Sequence, residues 1–217
     1  MLFSTIIQHP KTFLKDNALW PAGQLNVLAK GKPDVFKVGT VDEGSRVWPV
    51  ELRQINTVEC KTRSGAVMPC WEVAPSNSMA ATLAYYLPWQ PNSTRTMLLG
   101  DKADFFITDT MNGCTFAFGP GGKPRVAHVN FNTFNEERDR QEGRPIDQGH
   151  MNAEVQRVIS GGAIALRKAD YTTANFPNVT VLGVRRNGQW TFVYQKRDRV
   201  ATTNKIIYML KSVHTIR

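Results

Sequence analysis

ADFFITDTMNGCTFAFGPGGKPRVAHVNF, residues 103–131, is the stretch whose reading decides the fold. Phe105-Phe106-Ile107-Thr108 is a short apolar run. Asp109 to Gly113 has the composition of a turn, and Cys114 opens a second run that continues to Phe118. Gly119-Pro120-Gly121-Gly122-Lys123-Pro124 is a second turn, and Arg125 to Asn130 is a third run. β-branched and aromatic runs between clusters of Gly, Pro and Asn predict strand, turn, strand, turn, strand.

This reading sets up a chemical pair. A hairpin of the second and third runs with Phe118 opposite Pro124 sets Cys114 opposite His128. Opposed residues share a face, with Cβ atoms roughly 4.5–5.5 Å apart. A one-residue slip would turn them to different faces. A thiol has an ordinary pKa of about 8.5, so a neighbouring imidazole is needed to take its proton or stabilise the thiolate. A third group must fix the imidazole tautomer. Thr108, through its hydroxyl or carbonyl, is the candidate. Backbone N–H groups at Gly113 and Cys114, left free by the tight turn, are the expected oxyanion hole. The competing reading is structural: a buried cysteine packs as a small hydrophobe, and a strand histidine sits among satisfied core partners.

The order Thr108, Cys114, His128 resembles the Thr–Cys–His arrangement of the cysteine-dependent glutamine deamidases. That group includes the cytotoxic necrotising factor catalytic domain, the Burkholderia lethal factor and the bacterial chemoreceptor deamidases. Met111-Asn112-Gly113-Cys114 stands where the toxins carry Leu-Ser-Gly-Cys, so Asn112 replaces their serine. The resemblance implies an α+β fold of two mixed β-sheets packed as a sandwich, flanked by helices and loops, here as one domain over residues 1–217. It implies hydrolysis of a glutamine side-chain amide in a target protein through a thioester. Transglutamination is the same chemistry with an amine as acceptor. Candidate partners by resemblance are a host Rho-family GTPase or a translation-initiation RNA helicase. The loops at 89–96 and 132–146 would select the target. The implied setting is a soluble bacterial effector, exported without a Sec signal and acting in the cytosol of a host cell.

Composition adds bounds. The chain has 217 residues, 41% apolar and 21% charged, with net charge +9. A basic surface attracts nucleic acid, anionic membranes or acidic proteins. The second function class is therefore a basic β-rich module that binds nucleic acid or an acidic partner, with Cys114 structural. Trp190, Phe192 and Tyr194, two apart beside basic residues, read first as core packing; the alternative is a stacking platform for that module. Arg185-Arg186 and Lys196-Arg197 with Arg199 read first as a solvated hairpin surface; the functional alternative is a basic rim around a site for an acidic protein partner. Rapid alkylation of Cys114 at pH 6–7 is the expectation that separates the deamidase from the module. Cys60 and Cys70 flank a turn and approach across a hairpin, as thiols or as a disulfide. Their spacing lacks the further ligands a zinc site needs, and no metal or other cofactor is expected. His150 lacks neighbouring ligands too. The first residues have no basic, long apolar leader, and no run approaches the roughly 18 residues of a membrane span.

Outside the central stretch, helices are expected over 11–20, 79–87 (behind Ser76-Asn77-Ser78) and 147–159. Leu25 to Ala29 reads as helix or strand. Strands are expected at 35–41, at 47–58 with Pro49 on an edge, and at 206–210. Residues 132–149 are polar, a solvated helix or a loop. Asn187-Gly188 between alternating runs predicts a type I′ hairpin.

Overall fold

The computed structural model describes residues 2–30, 39–131, 147–171, 176–201 and 206–217. The chain opens with α1 (Leu2–Gln8), α2 (Pro10–Asp16), β1 (Ala18–Pro21) and α3 (Gly23–Lys30). Strands β2 (Gly39–Asp42), β3 (Val47–Gln54), β4 (Glu59–Lys61), β5 (Val67–Met68) and β6 (Cys70–Pro75) follow. The middle holds β7 (Thr82–Leu87), β8 (Ser93–Leu98), β9 (Phe105–Thr108), β10 (Thr115–Phe118) and β11 (Arg125–Asn130). Then come α4 (Gln148–Val158), β12 (Ile164–Leu166), α5 (Lys168–Tyr171), β13 (Phe176–Arg186), β14 (Gln189–Ala201) and β15 (Ile206–Thr215). The fold is α+β, with two mixed sheets.

One sheet has ten strands in the order β1-β6-β3-β7-β9-β13-β14-β15-β4-β5, the other five in the order β12-β10-β11-β8-β2. The sheets meet across a core of Tyr85, Phe106, Val181 and Phe192 from the large sheet and Met97, Phe116 and Val126 from the small one. On its other face the large sheet is covered by Ile6, Phe13, Leu14 and Leu25 of the N-terminal helices. The far face of the small sheet is covered by α4, through Met151 and Val155 against Ala117, Ala127 and Val129. Asp147 caps α4, accepting from His150 N–H at 2.8 Å. Glu154 ties the helix to the sheet, accepting from Thr94 Oγ1 at 2.9 Å. Its hydrogen bond from Arg157 holds its carboxyl down at about 2.

The large sheet rolls. β5 ends at Met68 and β6 begins at Cys70, yet they lie near opposite ends of the strand order. Pro69 alone joins them, and its carbonyl accepts from Ala18 N–H of β1 at 2.9 Å. The two ends of the sheet therefore meet at a seam, packed by Ala18, Cys60, Met68, Cys70 and Leu210.

The longest hairpin is β13–β14. Its turn residues Asn187 and Gly188 have φ of +50° and +76°, as a type I′ turn requires. Gly183 in β13 has a packing reason: a Cβ there would meet the Phe192 ring at 2.9 Å and Phe106 Cβ at 3.1 Å. The bare Cα lets rings from both neighbouring strands close over it.

Several expectations fail for physical reasons. Residues 82–87 form β7, not a helix. Tyr85 faces one core and Tyr86 the other, so two-sided burial overrides helix propensity. Ser76 and Ser78 cap turns instead, accepting from Ser78 N–H and Ala80 N–H. Of residues 89–96, expected as loop, Ser93 onward belongs to β8 (Ser93–Leu98), which is buried through Met97. Pro49 lies within β3, an interior strand. It is tolerated because the β6 ladder stops at Val50, while its carbonyl still accepts from Ser76 N–H at 3.0 Å. Within the opening stretch, the first run (β9) joins the large sheet and the other two (β10, β11) the small one. Of 11–20, Pro10–Asp16 is helical and Ala18–Pro21 is strand. The 132–146 loop, most of the 35–41 strand and a lid role for 132–146 lie outside the described residues.

The aromatic stripe of β14 is spent on packing. Phe192 and Tyr194 are buried in the core between the sheets, with Trp190 packed against it. Arg197 is fully buried, not part of a rim. No helix among the described residues is long and apolar enough to cross a membrane.

Candidate active site

The small sheet's inner face is apolar along most of its length and polar at one end. Val126 faces Met97, whereas His128 faces Arg95 and Asn130 faces Ser93. All but Asn130 of these four polar residues are buried. Arg95 Nη1 meets Glu43 Oε1 at 2.5 Å, and its other terminal nitrogen donates to Gln90. The polar end lies beside the chain's crossing from one sheet to the other, through Asp109 to Gly113. That crossing delivers Thr108, at the end of β9, and Cys114, just before β10, to the same place.

The expected register is corrected by two residues. Phe116 faces His128 and Thr115 faces Val129, so Cys114 comes opposite Asn130. The reversal is displaced by one residue along the chain: Gly119 N–H bonds the Arg125 carbonyl at 2.9 Å, so the turn is centred on Gly122 instead of Gly121. Because the shift is two, not one, Cys114 and His128 keep a common face. They become diagonal neighbours, with Cβ atoms roughly 7 Å apart.

Thr108 Oγ1 lies 2.7 Å from His128 Nδ1. The same hydroxyl donates to the Leu87 carbonyl at 3.0 Å. A hydroxyl has one proton and a carbonyl can only accept. Nδ1–H of His128 must therefore be the donor to Oγ1. The neutral ring then carries its lone pair on Nε2. When the ring gains a proton there, the contact with Thr108 need not change. The threonine is compatible with both states of a shuttling base, and the bond spans the two sheets.

The sulfur of Cys114 is surrounded by donors. Asn130 Nδ2 donates to it at 3.4 Å, and the Trp89 indole and the Asn112 backbone N–H also bond it. These favour a thiolate, but burial and then the Asp109 carboxylate outweigh them and push the thiol up to about 12. Tyr171 O–H, from α5, donates to the Cys114 carbonyl at 2.5 Å and fixes the backbone there. The amide seen bonded to the sulfur is that of Asn112, one residue before the expected Gly113 and Cys114. Cys114 and His128 are each 1% exposed, so the residues packed over them must move before a substrate can reach the sulfur.

Rapid alkylation at pH 6–7 does not follow from this geometry. Iodoacetamide is expected to label Cys114 at least about ten-fold more slowly than a free cysteine at pH 7. The rate should climb with pH, without a plateau below about 12. A plateau near pH 7 in a pH series of labelling would contradict the buried, neutral thiol. Labelling speed thus no longer separates catalyst from core residue; turnover does.

Asn130 and Tyr171 carry no role in the sequence reading, and Trp89 and Arg95 enter it only as part of the 89–96 loop expected to select the target. Asn130 had a readable signal, since it lies two residues from His128 on the same strand. Trp89 and Tyr171 come from distant segments and had none. Among the described residues, no three His, Cys, Asp or Glu gather as a metal site would need.

No family model matches the chain, and no curated protein sequence matches it either. The functional reading rests on the geometry of this site beside the resemblance at Thr108, Cys114 and His128.

Proposed function

We propose that the chain is a toxin-like protein-glutamine deamidase with Cys114 as nucleophile, His128 as acid–base and Thr108 as the group that orients it. The observation that carries this is the Thr108–His128 bond, which fixes Nδ1 as the protonated nitrogen and leaves the lone pair on Nε2, in a residue on the same face of the sheet as Cys114. Such a bond suits a base that must hold one tautomer while it takes a proton from a thiol.

Cys114 rests as the thiol. The proton leaves Sγ for Nε2 as the sulfur attacks the glutamine amide carbon. The oxyanion of the tetrahedral intermediate is received by donors clustered around the sulfur, Asn112 N–H and Asn130 Nδ2, with the amides of Gly113 and Cys114 beside them. His128 then protonates the departing ammonia, leaving a thioester. Water, deprotonated by Nε2, attacks the thioester and releases glutamate. The target gains one negative charge. Candidate targets are a Rho-family GTPase or a translation-initiation RNA helicase of a host cell, reached after export. The +9 chain suits an acidic protein surface.

The test is a comparison of wild type with Cys114→Ser in host-cell extract, following ammonia release and glutamines that gain about 1 Da. Cys114→Ser is expected to lose at least about 10³-fold in rate, because a serine hydroxyl is a far weaker nucleophile beside the same base. Equal modification by both proteins, or none by wild type across the extract, overturns the reading.

A further inference from the structure

Two thiols lie together at the seam of the large sheet, far from Cys114 in the fold. Cys60 is in β4 and Cys70 begins β6, and their side chains hydrogen-bond one another. Both line a pocket of about 460 Å³, with Asn56, Glu59, Val67 and Met68 around it. Both are free thiols in this structure. Cys70 Sγ also approaches the Val58 and Met68 carbonyls, at 3.7 Å each.

We propose that Cys60 and Cys70 form a redox-modifiable dithiol site, which exchanges with small disulfides of the glutathione class to give an intramolecular disulfide across the seam.

Charge and access both favour the exchange. The guanidinium of Arg197 lies close enough to both sulfurs to favour their thiolates. Burial brings Arg197 down to about 9, so it remains a cation at neutral pH. The hydrogen bond from Cys60 lowers Cys70, while the same bond and burial raise Cys60. Cys70 is also the less buried of the two, 4% exposed against 1%, which makes it the attacking sulfur and Cys60 the resolving one. The pocket wall beside them is β5, an edge strand of two residues. So short an edge opens at little cost.

The steps balance. The Cys70 thiolate attacks one sulfur of the small disulfide, forming a mixed disulfide and releasing one small thiolate. Cys60, giving up its proton, attacks the Cys70 sulfur and releases the second. Two protein thiols lose two electrons, and one small disulfide gains them as two thiols. The new bond joins β4 to β6 and locks the two ends of the sheet.

The experiment treats the reduced full chain with oxidised glutathione, quenches with acid, unfolds it with N-ethylmaleimide and measures intact mass. The expected product is about 2 Da lighter before labelling and takes one maleimide, on Cys114, where the reduced chain takes three. Dithiothreitol should restore all three. Oxidation should also raise Tm by several degrees, reversibly. Cys60→Ser should stop at a glutathione adduct on Cys70, and Cys70→Ser should form none on Cys60. Three maleimides after oxidation, or glutathione trapped first on Cys60 or Cys114, overturns the proposal. The wild-type count decides alone if a serine variant does not fold.

Discussion

Arg197→Ala is expected to destabilise the protein by roughly 4 kcal/mol, the largest effect of any single substitution at the seam. The guanidinium is fully buried. Its Nη1 donates to the Leu19 carbonyl at 2.9 Å and Gln195 Oε1 at 3.0 Å. Its Nη2 donates to Asn178 Oδ1 at 2.8 Å and Thr180 Oγ1 at 2.6 Å. Its Cζ lies 3.8 Å from the centre of the Trp20 ring. One side chain thus bonds β1, β13 and β14 together. All four acceptors are neutral, so the charge is held by dipoles and a ring face. Removal leaves a cavity and strands buried acceptors, each costing about 1–3 kcal/mol though not additively. Arg197→Lys should recover little, since an ammonium cannot reproduce the planar fork. Urea unfolding measures the loss. An Arg197→Met chain as stable as wild type would mean that side-chain volume, not the hydrogen-bonded cation, holds the seam.

The legible parts of the fold were those where local signals and tertiary packing agree. Asn187-Gly188 with alternating flanks is such a case, and so is Asp147 before the α4 pattern. Residues 79–87 misled because Ala, Leu and Tyr serve equally in a helix or in a strand buried on both faces, and a short apolar run does not tell these apart. The roll of the large sheet was not legible at all. It is encoded in pairings between segments more than a hundred residues apart, such as Arg197 with Leu19, and in Pro69, where one residue turns the chain from one end of the sheet to the other. The basic cluster at 196–199 read as a surface rim because a fully buried arginine is rare.

The site was legible as residue types but not as geometry. Thr108, Cys114 and His128 were found because they fall in one stretch with turn signals between them. The register was misjudged by two, since a turn rich in Gly and Pro does not fix where its ladder begins. The common face survived because side chains alternate with period two. What the stretch could not disclose is that Thr108 belongs to the other sheet, so that its bond to His128 crosses the core. The causes that set the thiol's state, burial first and then the Asp109 carboxylate, were equally hidden, and they turn an expected reactive thiolate into a resting neutral thiol.

His128→Ala is expected to lower the deamidation rate by roughly 10²–10⁴-fold, the contribution of a positioned general base. Thr108→Val is expected to lower it by about 10–100-fold with KM little changed, because valine keeps the shape but cannot accept from Nδ1–H. Thr108→Ser, which keeps the hydroxyl, should recover most of the rate. The recovery separates orientation of the ring from simple packing, since serine fills the core less well than valine. A second measurement reads the ring directly. ¹⁵N shifts of His128 in wild type should report a proton on Nδ1 and a bare Nε2, because Thr108 Oγ1 spends its only proton on the Leu87 carbonyl. In Thr108→Val that bias should be lost. A wild-type ring protonated on Nε2 would give the sulfur no lone pair to use. It would leave His128 as a core residue tied to a threonine, and the catalytic reading would fail even if the chain were folded as described.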